Sequence, residues 1–207
     1  SIAIWREAGG TGEGLMHALR VYGNSVHFNH DKALGRALIE DSLAMARSAG
    51  NQVEMAWSLF DLGLITEAEG QRDAARALLE ESLALHRAVQ NPVGLGLALK
   101  WLGEDALEYG EPERARALLE ECQQFYCLVR DKRGMAASSA SLARAAWLQN
   151  DLPRAMHLAA ESLAQAREIG FTDLTGWGLG GLGWMALQQQ DAVRARQGQC
   201  GAGDAAH

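Results

Sequence analysis

Several residues in this chain have types and spacings that chemistry uses. GLGGLG at Gly178–Gly183 matches the G-x-G-x2-G loop that seats a dinucleotide pyrophosphate on backbone N–H groups. His17, His27 and His30 offer imidazoles for a metal ion, and Glu80/Glu81 and Glu120/Glu121 offer paired carboxylates for proton transfer. Trp57, Trp101, Trp147, Trp177 and Trp184 supply rings that stack on sugars, grip apolar side chains or hold a cation. Which of these survive depends on the elements that carry them.

Those elements repeat. RALIEDSLAMAR from Arg36 returns as RALLEESLALHR from Arg76, as RALLEECQQFYC from Arg116 and, altered, as MHLAAESLAQAR from Met156, spaced 40 residues each time without insertion. An ungapped period of this length means a stack of equivalent supersecondary units. Within one copy, Leu59, Leu62, Gly63 and Thr66 fall at helical spacing, Gly70 interrupts, and Ala75, Leu78, Leu79, Ser82 and Leu83 form a second stripe. The unit is a helical hairpin. Its turn recurs as Gly70 and Gly110 and is replaced by Asn150 and Gln190; Asn tolerates the left-handed conformation of a helix end, Gln less so. Asn51, Asn91 and Asp131 stand where one helix ends and the next starts. Two small-residue columns, Gly23/Gly63/Gly103/Ala143/Gly183 and Gly35/Ala75/Ala115/Ala155/Ala195, let paired helices approach closely, and leucine columns through Leu62 and Leu78 supply the surface that neighbouring units bury.

The register removes most of the chemical candidates. No strand precedes GLGGLG, and the repeat places it inside a helix, so it is not a phosphate loop. The carboxylate pairs repeat with the unit, as Glu40/Asp41, Glu80/Glu81 and Glu120/Glu121, which marks a solvated helix face. Cys122 occupies the column of Ser42, Ser82 and Ser162 and reads as a small core thiol. The histidines lack a third ligand column, and no Ser/His/Asp or Cys/His grouping has catalytic spacing. The expectation is a chain with no catalytic residue, no metal and no cofactor.

Composition sets the setting. The net charge of −7 comes from acids and bases mixed through every repeat, so no basic stripe exists to follow a nucleic-acid backbone. No apolar run approaches the roughly 20 residues of a membrane span. Three cysteines at 122, 127 and 200 fit neither a disulfide scaffold nor a zinc site, and with no secretory signal at the start they imply a cytoplasmic location. The chain begins at Ser1 without an initiator Met, as a segment of a longer protein would.

The columns Leu59, Leu62, Gly63, Gly70, Ala75 and Leu79, repeated as Leu99, Leu102, Gly103, Gly110, Ala115 and Leu119, resemble the tetratricopeptide repeat (TPR). That repeat is usually about 34 residues long. The longer phrase found here is similar to the 40-residue variant in bacterial signalling ATPases and transcription regulators of the LuxR and maltose-activator type. The resemblance implies an all-α, right-handed solenoid of antiparallel hairpins, a TPR-like superhelix. On this reading residues 1–196 are the solenoid, with a partial unit at 1–30, full units at about 31–70, 71–110, 111–150 and 151–190, and a further helix starting at 191–196; residues 197–207 are a disordered tail. Neither a G-x4-GK-[ST] motif nor a helix-turn-helix occurs, so ATPase and DNA-binding activities do not carry over.

In TPR arrays the first helix of each unit lines the concave surface. That row carries His17, Arg20 and Asn24, then Trp57 and Phe60, then Lys100, Trp101 and Glu104, then Arg144 and Trp147, and finally Trp177 and Trp184. These residues are the expected ligand-binding set. The leading expectation is a non-catalytic protein- or peptide-binding module, the sensor or docking part of a bacterial regulatory protein. A second is sensing of a small-molecule effector such as a sugar, with Trp177 and Trp184 stacking on it, and a third is self-assembly into a homodimer through the solenoid ends.

Overall fold

The computed structural model describes residues 12–29 and 31–171, together with positions 187 and 190. Eight helices follow one another without a strand among the described residues: α1 (Gly12–Asn29), α2 (Lys32–Ala49), α3 (Gln52–Ala68), α4 (Arg72–Ala88), α5 (Pro92–Glu108), α6 (Pro112–Val129), α7 (Lys132–Leu148) and α8 (Leu152–Glu168). The fold is an all-α solenoid of helical hairpins. Two compact units divide the chain, residues 1–102 and 103–207, with the border inside α5.

Helix starts are fixed by short polar side chains. Asp31, Asn51, Asn91, Asp131 and Asp151 accept from the backbone N–H groups of Leu34, Glu54, Gly94, Gly134 and Arg154 at 3.0–3.2 Å. These bonds satisfy donors that a helix leaves unpaired in its first turn. Helix ends fall where the backbone turns left-handed, at Gly70, Gly110 and Asn150 as the sequence suggests, with φ of 80°, 71° and 59°. The alternate turns use Gly50, Gln90, Arg130 and Gly170, so Gln90 and Arg130 hold positive φ without glycine's freedom. Gln190, expected at a turn, is instead helical, in keeping with its weak tolerance for that conformation.

Close helix pairing follows the small-residue columns. A Cβ on Gly23 would lie 2.8 Å from the Gly35 carbonyl oxygen, and one on Gly63 or Gly103 would lie 2.8 or 2.7 Å from Leu79 or Leu119. The tight hairpins are therefore α1/α2, α3/α4 and α5/α6, and α7 and α8 pair closely as well. The first unit buries Ile39, Leu43, Leu59, Leu62 and Ile65 together, and the second buries Ala106, Leu107, Ala115, Leu119, Leu142 and Ala145.

The serine column does more than fill space. Ser42, Ser82 and Ser162 are buried and donate to the carbonyl oxygens of Met16, Ala56 and Ala136, each 26 residues earlier on the partner helix, at 2.7–2.8 Å. A hydroxyl-to-carbonyl bond of this kind contributes about 1 kcal/mol net. Ser82→Ala is expected to lower the stability by about that amount, read as a shift of the urea midpoint at unchanged slope. Cys122 shares the column and is likewise fully buried.

Candidate functional site

Within the first unit, α1 and α3 lie side by side, and their polar residues meet. Arg20 donates from Nε to Glu54 Oε2 at 3.2 Å and from Nη1 to Asp61 Oδ2 at 3.0 Å. His17, one turn earlier on α1, places Nδ1 at 3.2 Å from both Arg20 Nη2 and Glu54 Oε1. Glu54, Trp57 and Asp61 share one face of α3 because they are spaced three and four apart. The guanidinium lies 5.5 Å from the Trp57 ring centroid. Arg20, Glu54 and Asp61 are each at most 9% exposed, so one cation is shared by two carboxylates away from bulk water. Burial raises the Asp61 carboxyl above its ordinary range, and a hydrogen bond from Asn24 and the Arg20 charge oppose that rise.

Trp57 connects this network to the interior. Its indole meets Phe60 edge-on at 6.1 Å and His86 at 4.8 Å. His86 is fully buried, and neither ring nitrogen has a hydrogen-bond partner among the described residues. Its imidazole lies against Gly94 of α5, where a Cβ would fall 2.1 Å from Cε1. Desolvation, aided by the Arg20 charge, lowers its pKa to about 4. The ring is therefore neutral at pH 7 and acts as a packing element with two stranded polar atoms.

The structure thus gathers His17, Arg20, Asn24, Trp57 and Phe60 in one place. His17 is exposed and Trp57 half-buried, whereas Phe60 is 5% exposed and offers little surface to a ligand. Lys100 and Trp101 lie further along the same unit, both half-buried, with the ammonium 5.9 Å from the indole centroid. In the second unit, Glu104 accepts from Ser141 at 3.2 Å, Arg144 is exposed, and Trp147 packs with Leu152, Met156 and Leu158 on the Ala146–Ala155 core. Trp177, Trp184, the GLGGLG stretch, His30, Cys200, residues 1–9 and the tail from 197 lie outside the described residues.

Sequence reasoning missed Glu54, Asp61 and His86. A signal was available, since each breaks its column: Glu54 aligns with Gly94 and Gly134, Asp61 with Trp101 and Ser141, and His86 with Ala46, Tyr126 and Ala166. Among the described residues no cluster of His, Cys, Asp and Glu could hold a metal ion, and no helix is long and apolar enough to cross a membrane.

Solved structures share this architecture. The chain is similar to BtubC (BKLC) from P. vanneervenii, with a TM-score of 0.75 and 15% identity over 95% of this chain and 83% of that one. It is also similar to a putative kinesin light chain from Podosopora anserina with nearly identical TPR-like repeats, at a TM-score of 0.65 and 17% identity over 89% and 96% of the two chains. A single-substitution form of that protein gives a TM-score of 0.66. The fold is TPR-like. No protein-family profile matches the chain, and no curated protein sequence does. At these identities the TPR-like neighbours establish the fold alone.

Proposed function

We propose that this TPR-like chain is a non-catalytic binding module, and that the first-helix face of its first unit docks a protein or peptide segment. The observation that carries this reading is the Arg20–Glu54–Asp61 network beneath Trp57, with exposed His17 on its rim. A scaffold needs only the columns that repeat; this cluster is built from columns that do not. Two carboxylates against one guanidinium leave the cluster with excess negative charge, and the adjoining indole supplies an apolar and cation-accepting surface. The segment that fits is one presenting a basic side chain beside an apolar one. We further propose that the chain serves as the sensor or docking part of a bacterial regulatory protein, a role supported by the 40-residue form of its repeat.

The test is a peptide array of mixed basic–apolar sequences, followed by affinities for the best binders. His17→Ala and Trp101→Ala, at positions outside the buried network, are expected to weaken binding several-fold while leaving the helical circular-dichroism signal unchanged. Binders whose affinity is the same for both variants and the unaltered chain would count decisively against this face.

A further inference from the structure

One atom on the face formed by α1 and α3 has two incompatible neighbours. His17 Nδ1 lies 3.2 Å from Arg20 Nη2 and also 3.2 Å from Glu54 Oε1. The guanidinium nitrogen has only protons to give, and the carboxylate oxygen has only lone pairs to receive them. An imidazole nitrogen is either bare or protonated, so it serves one of the two at a time. Bare, Nδ1 accepts from Arg20 and turns a lone pair toward Glu54. Protonated, it donates to Glu54 and turns an N–H toward Arg20.

The surroundings convert this choice into a change of charge. With His17 neutral, the Arg20 guanidinium faces the carboxylates of Glu54 and Asp61, and the cluster keeps an excess negative charge that an imidazolium would cancel. The His17 side chain is 60% exposed, whereas those of Arg20 and Glu54 are buried to 11% and 12%. A proton therefore arrives from water at the rim, and the ion pairs beneath it respond. Other charged groups around the imidazole are few. On α1, Glu13 and Arg20 stand about one turn to either side of it. From α3, Glu54 reaches it directly and Asp61 acts through Arg20. On α2, the column that in α4 lays His86 against Trp57 holds the uncharged Ala46. His86 itself adjoins Trp57 and, with a pKa of about 4, stays neutral above pH 5.

We propose that His17 is a proton switch for the docking face. Neutral, it accepts from Arg20 and leaves the face acidic, open to a basic side chain; protonated, it turns to Glu54, neutralises the face and weakens docking. Imidazoles change charge between about pH 5 and 8, so the signal is mild acidification. The effect on docking rests on the role proposed above for this face, whereas the exchange of partners at Nδ1 stands without it.

The two parts are tested separately on the full chain between about pH 8 and pH 5.5. Histidine ¹⁵N resonances distinguish bare from protonated Nδ1, and the Arg20 side-chain resonances report the loss of its acceptor. At the upper pH the Nε2–H tautomer of His17 is expected, and on acidification the Arg20 resonances are expected to move in step with His17. In His17→Gln, which keeps a polar side chain but cannot titrate, they are expected to stay still. The affinity for the tightest basic–apolar peptide of the array is expected to fall roughly five-fold on acidification, the size of one unit charge at contact in water. In His17→Gln it is expected to stay nearly constant. Arg20 resonances that ignore His17, or that move equally in the variant, overturn the exchange of partners. Equal loss of affinity in parent and variant overturns the switch. If Arg20 follows His17 but no peptide binds at either pH, the docking role falls and the switch with it, while the exchange of partners holds.

Discussion

Alanine in place of Gly134, or of Gly94, is expected to lower the stability of the protein by about 2–3 kcal/mol, although alanine is the better helix former by about 1 kcal/mol. Both glycines lie inside helices, so propensity alone predicts a gain. Packing opposes it. A Cβ on Gly134 would fall 2.3 Å from Tyr126 Cδ1 and 2.5 Å from Cγ and Cε1, and one on Gly94 would fall 2.1–2.3 Å from three atoms of the His86 ring. Neither ring has room to retreat, since Tyr126 is 8% exposed and His86 fully buried. The sign of the effect therefore decides between local propensity and contact. Urea unfolding of the single variants and of Tyr126→Ala/Gly134→Ala and His86→Ala/Gly94→Ala measures the coupling, and each pair is expected to cost about 2 kcal/mol less than the sum of its singles. Additive losses would show that ring and glycine do not share the space.

Acid is expected to weaken the first unit through His86. Its pKa falls from 6.5 to about 4 on folding, chiefly by desolvation and secondarily by the Arg20 charge. A base with a depressed native pKa takes up its proton more readily when unfolded, so stability is complete above about pH 6.5 and declines as pH falls toward 4. At about 1.4 kcal/mol per pH unit of that window, the loss approaches roughly 3 kcal/mol. Carboxylates also protonate near the lower end, so the comparison with His86→Phe isolates the imidazole: the variant keeps a ring against Trp57 and Gly94 but cannot titrate. The stability gap between variant and parent is expected to widen by about 3 kcal/mol in favour of the variant between pH 7 and pH 4. Parallel curves would mean that His86 is protonated as easily folded as unfolded.

The hairpins, their caps and their close-packed columns were legible in the sequence because a solenoid repeats its requirements. Asn51, Asn91 and Asp131 are short polar residues at the same step of each period, and Gly23, Gly63 and Gly103 recur where backbones touch. His17, Arg20, Asn24 and Trp57 were also visible, as members of one helical row. Glu54 and Asp61 were not, because an acid on a helix is ordinarily solvated and its pairing with a cation 34 or 41 residues away has no local signature. His86 was hidden for another reason. A basic residue in the last turn of a helix reads as a favourable partner for the helix dipole, and only the glycine eight residues later reveals that the ring points inward.

The ring-and-glycine pairs bear on how the chain avoids misassembly. Where α2 meets α3 the register sets Ala46 against Glu54; where α4 meets α5 it sets His86 against Gly94; where α6 meets α7 it sets Tyr126 against Gly134. Units that share their stacking columns would otherwise stack on any neighbour, and a chain slipped by one period would lose little. Here a slip forces an aromatic or imidazole ring onto Glu54, or leaves Gly94 facing an alanine across an empty gap. Each junction is shaped for one mate, so the order of the hairpins is written into steric fit as well as into chain connectivity.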